Sequence, residues 1–373
     1  MTKIENARDN DIRICFVSPA AYPILADRDL SFVGGAEVQQ VLIARALETE
    51  GLRPLFVVGD YGQPDIENYG GITSHKCPFR YFTGQKYMFA PDAAKLIAVL
   101  HRIRPHFVLF KTPVSMAFTL ALHRRLFGGR LIHILAHDRD ARRGRRKPAD
   151  LLYDLGVPFV DVTVFQTERQ RELGMKHMGL RGPVIPNIAH AAPESLAREH
   201  LKPVDGLWVG TCTPVKRPEL FLDLAERLPE LDFAMMIAPE RDRDLNESIA
   251  RRAGSLKNVD YLGFVKYADT FAHYSRARTV VNTSFEEGFP NVFLQAWQTR
   301  APVVSLKIDP DDVVAQLGLG FSCGDDFELF VQRMVLMASD ADLRHKTGAR
   351  AYEHLAATHS PRAVAAKYME LFS

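Results

Sequence analysis

The sequence predicts an α/β protein of two doubly wound domains in tandem. Three observations carry this. The chain has 373 residues, 47% of them hydrophobic and 25% charged, too long for one ordinary core and of soluble globular composition. Short β-branched runs alternate with helical apolar spacing, the pattern of a parallel sheet covered on both faces. That alternation breaks off in a Pro- and Ala-rich stretch and then starts again.

Residues 12–18 (IRICFVS) read as a buried strand, and 36–51 as a helix closed by glycine. Further strands are expected at 54–59, 106–111, 130–137 and 162–166, with helices between most of them. Residues 186–206 lack a strand pattern and serve as the linker. The second series has strands at 206–210, 232–238, 259–264, 278–284 and 302–306. The last helix, 360–373, is expected to cross back to the first domain. The expected domains are 1–190 and 191–357, with 358–373 as the returning helix. Tandem domains of this kind leave a central cleft where the C-terminal ends of their strands face each other, and ligands bind at such places.

Composition narrows the function. The net charge of +2 makes no case for nucleic acid, and no nucleic-acid module or aromatic interleaving accompanies the basic residues. Residues 1–200 hold 27 Lys and Arg against 21 Asp and Glu, and the remainder 20 against 24, which gives the first half the basic face. Cys15, Cys77, Cys212 and Cys323 form no CxxC, so neither zinc nor a disulfide framework is indicated, and reduced thiols of a cytoplasmic protein are expected. The first residues, MTKIENARDNDIR, have no apolar signal core. No apolar run approaches the ~18 residues of a membrane span.

Three stretches carry chemistry. FVGGAE (32–37) sets Gly34 and Gly35 before a helix, where the backbone can approach an anion and free N–H groups point at it; a plain turn fits the same residues. WVGTCTPVKRPELFLDLAERLP (208–229) places Lys216 and Arg217 just before Pro218, which suits the first helical position. Cations there oppose the helix dipole unless an anion lies between; a solvated basic pair is the alternative. SFEEGFPNVFLQAW (284–297) ends a strand with two carboxylates, then expects Pro290 as the first helical residue. The amides of Asn291, Val292 and Phe293 are expected free for an anion. Glu287 at the rim can accept bonds from sugar hydroxyls, and Gln295 can both accept and donate.

These stretches resemble motifs of the retaining group 1 (family 4) glycosyltransferases. EEGFPNVFLQAWQTRAPVVS resembles their Glu-x₇-Glu signature, VGTCTPVKRPELFLDLA their phosphate loop, and GGAE their N-terminal glycine loop; NVDYLGFV and VIPN match in place and order. The resemblance runs from about residue 12 to the end. It implies the GT-B fold of two Rossmann-like domains with the donor mainly on the second. The implied reaction moves a sugar from a nucleotide-diphosphate donor, UDP- or GDP-linked, with retained configuration and without metal or other cofactor. By the same resemblance Glu287 holds hydroxyls of the transferred sugar and Lys216 stabilises the diphosphate. Gly34 and Gly35 contact phosphates, Gly263 and Phe264 frame the base, and the backbone of Gly288, Phe289, Asn291 and Val292 faces the donor. His137 is placed like the family's N-domain histidine near the sugar; a structural histidine fits there too. An acceptor hydroxyl on a lipid-linked or polysaccharide precursor completes the implied reaction, hexosyl transfer in polysaccharide biosynthesis.

Two positions depart from the family. Thr211 stands where the phosphate loop carries Arg, and Gln295 where the second Glu holds the ribose diol. A neutral bond is roughly half as strong as a charge-assisted one, and losing Arg removes a bidentate clamp that Arg217 could replace in charge. A catalytically weak GT-B binding or scaffold subunit is therefore an alternative, as is a nucleotide-sugar epimerase. DRD (138–140) formally matches a metal motif, but the neighbouring arginines oppose a metal. The run RDARRGRRKP (139–148), with Arg142, Arg143, Arg145, Arg146 and Lys147, reads either as a solvated loop or as a contact with anionic lipid on the inner face of the membrane, where each basic residue contributes about 1 kcal/mol.

Overall fold

Two parallel sheets form, each from strands that alternate with helices. The computed structural model describes residues 12–28, 34–78, 90–111, 114–142, 148–189, 201–239 and 242–373. The chain divides into two units, Met1–Ile188 with Pro361–Ser373, and Ala189–Ser360.

The first unit runs β1 (Arg13–Val17), α1 (Tyr22–Leu25), α2 (Gly35–Thr49), β2 (Arg53–Val58), β3 (Ile66–Tyr69), β4 (Ile72–Lys76), α3 (Ala90–Ile103), β5 (Phe107–Phe110), α4 (Ala117–Phe127), β6 (Arg130–Ile134), α5 (Pro148–Gly156), β7 (Val162–Val164) and α6 (Glu168–Met178). The sheet order is β3-β4-β2-β1-β5-β6-β7, parallel throughout except for β3 against β4. Alternate residues of β1 feed opposite cores, as the two-residue period of a strand requires. Ile14 and Phe16 pack with Val41 and Leu47 of α2 and with Val364 and Tyr368 of the C-terminal helix Pro361–Phe372. Cys15 and Val17 pack with Leu96 and Leu100 of α3 and Leu120 of α4. The β3–β4 hairpin is an addition to the sequence reading. Its sequences, IENY and ITSHK, are mostly polar, with β3 at the sheet edge, so no apolar run announces them.

The second unit runs β8 (Gly206–Thr211), α7 (Pro218–Arg227), β9 (Phe233–Ala238), α8 (Arg243–Ser255), β10 (Val259–Gly263), α9 (Tyr267–Arg276), β11 (Val280–Asn282), α10 (Asn291–Gln298), β12 (Val303–Ser305), α11 (Val313–Gln316), β13 (Gly320–Ser322), α12 (Phe327–Ser339) and α13 (Ala341–Thr358). Its sheet, β10-β9-β8-β11-β12-β13, is parallel throughout. Trp208, Phe221 and Phe233 fill one core, and Phe293, Trp297 and Val303 the other. Three aspartates cap helices here: Asp242, Asp326 and Asp340 accept the N–H groups of Leu245, Leu329 and Leu343 at 3.0, 3.0 and 2.8 Å, each satisfying a donor the helix leaves open. The short β13 is also new relative to the sequence reading. Gly320 lets it approach β12, where an added Cβ would stand 2.0 Å from the Val303 carbonyl oxygen.

Candidate active site

Strands β8 and β11 are neighbours in the second sheet, so the loops that leave their C-terminal ends lie side by side. Five contacts join these loops. The Phe285 N–H donates to the Val215 carbonyl at 2.8 Å. The Thr283 hydroxyl donates to the Lys216 carbonyl at 2.8 Å and accepts the buried Trp208 indole N–H at 2.9 Å. Arg217 donates through Nε to the Thr283 carbonyl at 2.6 Å and through Nη2 to that of Ser284 at 3.3 Å. Across the same junction the Lys216 ammonium donates to Glu287 Oε1. Glu287 is the more enclosed partner, its side chain 8% exposed against 26% for Lys216.

Arg217 occupies the N-cap of α7 in the left-handed region, φ 48°, with Pro218 following as the first helical residue. Its Nη1 donates to Asp325 at 2.7 Å. Burial pushes the Asp325 carboxyl up, but Arg217 and Lys307 together hold it below the usual carboxylate range. Lys307 also stands 3.4 Å over the exposed Phe285 ring, with Arg217 at 5.6 Å, a cation–π arrangement. Thus the guanidinium expected to replace a missing phosphate clamp is engaged by two backbone carbonyls and a carboxylate. Thr283, Asp325 and Lys307 were absent from the sequence reading because only strand order brings them here.

Helix α10 departs from expectation in two details. Pro290 is its N-cap, not its first residue, and the Phe293 N–H is taken by the Pro290 carbonyl at 3.1 Å. Proline's fixed φ allows either position, and the turn closes on itself rather than leaving that third amide open. Asn291 and Val292 form the half-buried start of the helix. Gly288 is buried. The Phe289 side chain lies in the core, 6.0 Å from Trp297 and 4.8 Å from His359 between ring centres, so what it offers a ligand is backbone. Gln295 is held from behind: the buried Tyr274 hydroxyl donates to its Oε1 at 2.8 Å. At the end of β10, Gly263 takes φ 62°, which a Cβ disfavours, and Phe264 beside it is exposed.

In the first unit Gly34 is the N-cap of α2 and Gly35 its first residue. The Glu37 carboxylate folds against Gly34, where an added Cβ would meet Oε2 at 2.1 Å; the helix dipole favours an acid there. His137 is half-buried beyond β6, and its backbone N–H donates to Asp140 at 3.0 Å. The DRD carboxylates serve the protein itself, Asp138 pairing with Arg169 at 3.2 Å and Asp140 holding His137. Lys111, just past β5, is 2% exposed and donates to Asn187 Oδ1 at 3.4 Å. Burial pushes its ammonium down to about 8, with Glu37 and Asp140 pulling the other way. No spacing rule flags one lysine at a strand end. Arg142 is exposed, while Arg143, Arg145, Arg146 and Lys147 lie outside the described residues. Among the described residues no helix is long and apolar enough to cross a membrane.

Two sequence families match the chain in succession. Residues 33–190 match the family described as Glycosyltransferase Family 4, and 204–340 that described as Glycosyl transferases group 1. The chain belongs to the group 1 glycosyltransferases. Solved structures agree with a GT-B fold for this glycosyltransferase. Sucrose-phosphate synthase from Thermosynechococcus elongatus is 15% identical with a TM-score of 0.78, covering 97% of this chain and 98% of its own. HepE of Anabaena, in complex with UDP and glucose, is 14% identical with a TM-score of 0.73, covering 97% and 99%. A mutant of TarM of S. aureus, in complex with fondaparinux, alpha-GlcNAc-glycerol and UDP, is 11% identical with a TM-score of 0.74, covering 97% and 100%. No curated protein sequence matches the chain.

Within the second unit the glycosyltransferase therefore brings Lys216, Arg217 and Glu287 together on two tied loops. Thr211, half-buried, ends β8 at the base of one of them. Gln295 sits on the helix that follows the other, anchored to Tyr274. His137, Gly34 and Gly35 belong to the first unit.

Proposed function

We propose that the protein is a retaining hexosyltransferase that moves a sugar from a nucleotide-diphosphate donor to a hydroxyl of a lipid-linked or polysaccharide precursor. The observation that carries this is the Lys216–Glu287 pair at the junction of two loops that leave adjacent strand ends. Lys216 neutralises the diphosphate as its bond to the sugar breaks, and Glu287 accepts hydrogen bonds from hydroxyls of the sugar. The first amides of α10 add partial positive charge for the phosphates. The Nε2 group of Gln295, with Oε1 held by Tyr274, donates toward the ribose. The acceptor hydroxyl attacks from the leaving-group face, no enzymic nucleophile being assigned, and the reaction needs no metal. UDP in the HepE structure, and UDP-2-fluoro glucose in an E. coli trehalose-6-phosphate structure of TM-score 0.68 and 13% identity, support a UDP-sugar ahead of a GDP-sugar. The family resemblance assigns donor contacts to His137, Gly34 and Gly35 as well. The site of action is the cytoplasmic face of the membrane, with the run Arg142–Lys147 touching anionic lipid.

Nucleotide release from UDP-, GDP- and ADP-sugars, measured with and without lipid extract, tests this reading. Release from one donor, increased by an extract, is the expected result. Binding without release would favour the alternative of a weak binding subunit, which Thr211, Gln295 and the engaged Arg217 support. Sugar isomerisation without release would indicate an epimerase.

A further inference from the structure

We infer that helices α4 and α5 form an apolar face that inserts into the surface of an anionic lipid bilayer. This rests on the peripheral-membrane reading of the arginine run and adds what that reading lacks, a surface that leaves water. Phe118, Leu122 and Leu126 follow one another at four-residue intervals along α4, which stacks them on one helix face. Leu151 and Leu155 do the same on α5, and Phe159 follows in the 3-10 turn beyond it. All six are exposed, Leu151 at 61% and Leu126 and Phe159 at 59%. The stripes adjoin because Gly156 packs directly on α4: a Cβ there would lie 2.3 Å from the backbone of Ala117 and Phe118. Exposed apolar side chains scattered singly need no explanation, but a contiguous group of this kind marks an interaction surface.

Charge selects the occupant. From Phe118 to Asp161 the chain carries nine Lys and Arg against five Asp and Glu, with Arg124 paired to Asp161. Arg125 is exposed in the last turn of α4, and Arg139 and Arg142 are exposed ahead of α5. The acids are largely withdrawn: Asp138 pairs with Arg169, Asp140 holds the His137 N–H, and one oxygen of Asp154 is buried. A second copy of the chain on this face would bring like-charged margins together, whereas anionic head groups complement them. An apolar face with a basic margin is the composition of an interfacial membrane contact.

The test is co-sedimentation of the full chain with vesicles of phosphatidylcholine, with or without phosphatidylglycerol, beside size-exclusion chromatography. The parent should partition to the anionic vesicles. Leu122→Ser with Leu151→Ser should lower that partition by about tenfold at an unchanged unfolding midpoint, both residues being exposed. A second variant replaces Arg142, Arg143, Arg145 and Arg146 by Ala. If it alone loses binding, the apolar face is overturned and the arginine reading stands. If the serine variant alone loses binding, the face stands and the arginine reading falls. A parent that ignores vesicles but is a dimer dissociated by the serine substitutions would place a second copy there and overturn the proposal. None of these outcomes depends on sugar transfer.

Discussion

Replacing Lys216 by Ala should separate what the Lys216–Glu287 pair does for stability from what it does for chemistry. Glu287 is 8% exposed and Lys216 26%, so removing the ammonium leaves an enclosed carboxylate without its cation. Breaking a fully buried pair costs about 3–5 kcal/mol. The partial exposure of Lys216 brings the expected loss down to about 1–3 kcal/mol, read as a shift in the urea midpoint. If the ammonium also neutralises a departing diphosphate, kcat should fall about a hundredfold, the effect of losing one preorganised donor to developing charge. Lys216→Ala combined with Glu287→Gln removes the stranded charge. That double variant should regain all but about 1 kcal/mol of stability and none of the turnover. Denaturation and nucleotide release from the preferred donor read the two quantities separately. Near-normal turnover in Lys216→Ala would refute the leaving-group role. A double variant as unstable as the single one would show that the pair is not what holds these loops.

Gln295→Glu should bind the donor about fivefold more tightly, about 1 kcal/mol, because Tyr274 can hold one carboxylate oxygen and leave the other for a diol. Gln295→Leu should weaken donor binding by about 1–2 kcal/mol and also lower stability by about 1–3 kcal/mol, since the buried Tyr274 hydroxyl loses its acceptor; calorimetric titration and denaturation that show neither change would make Gln295 a bystander. Lys111 is charged in both folded and unfolded chains below about pH 8, so the cost of its burial is then fully present. Between its folded value of about 8 and the ordinary 10.5, the unfolded chain holds a proton the folded chain has shed, and stability rises with pH. Lys111→Met, which lacks that proton, should therefore exceed the parent in stability by an amount that shrinks as pH rises through this window; a constant difference by denaturation would contradict the burial argument. Gly156→Ala should cost about 1–3 kcal/mol by overpacking against the Ala117–Phe118 backbone, and an unchanged melting temperature would mean that α4 and α5 do not meet there.

The parts of the fold that were legible are those whose signal is local. The central strands read as unbroken apolar runs because both their faces are covered, whereas the polar β3–β4 edge and the three-residue β13 carry no such run. The site divides in the same way. Lys216 before Pro218, and Glu287 before α10, could be found from helix-start chemistry, and the family resemblance joined them. The bonds of Arg217 could not be read from the sequence. Its charge suggested a role beside a phosphate; its bonds to the Thr283 and Ser284 carbonyls and to Asp325 depend on β11 lying beside β8, a fact of sheet order that residue spacing does not contain. The left-handed φ of 48° at the α7 N-cap turns the chain between two adjacent cations: Lys216 goes to Glu287 and Arg217 to the neighbouring loop. One of the two basic residues thus fixes the distance between the loops while the other supplies charge at their junction. A site that has Thr211 in place of an arginine clamp makes this division matter. In the proposed reaction the electrostatic work of this loop falls on Lys216, beside an Arg217 that ties the loop to its neighbour.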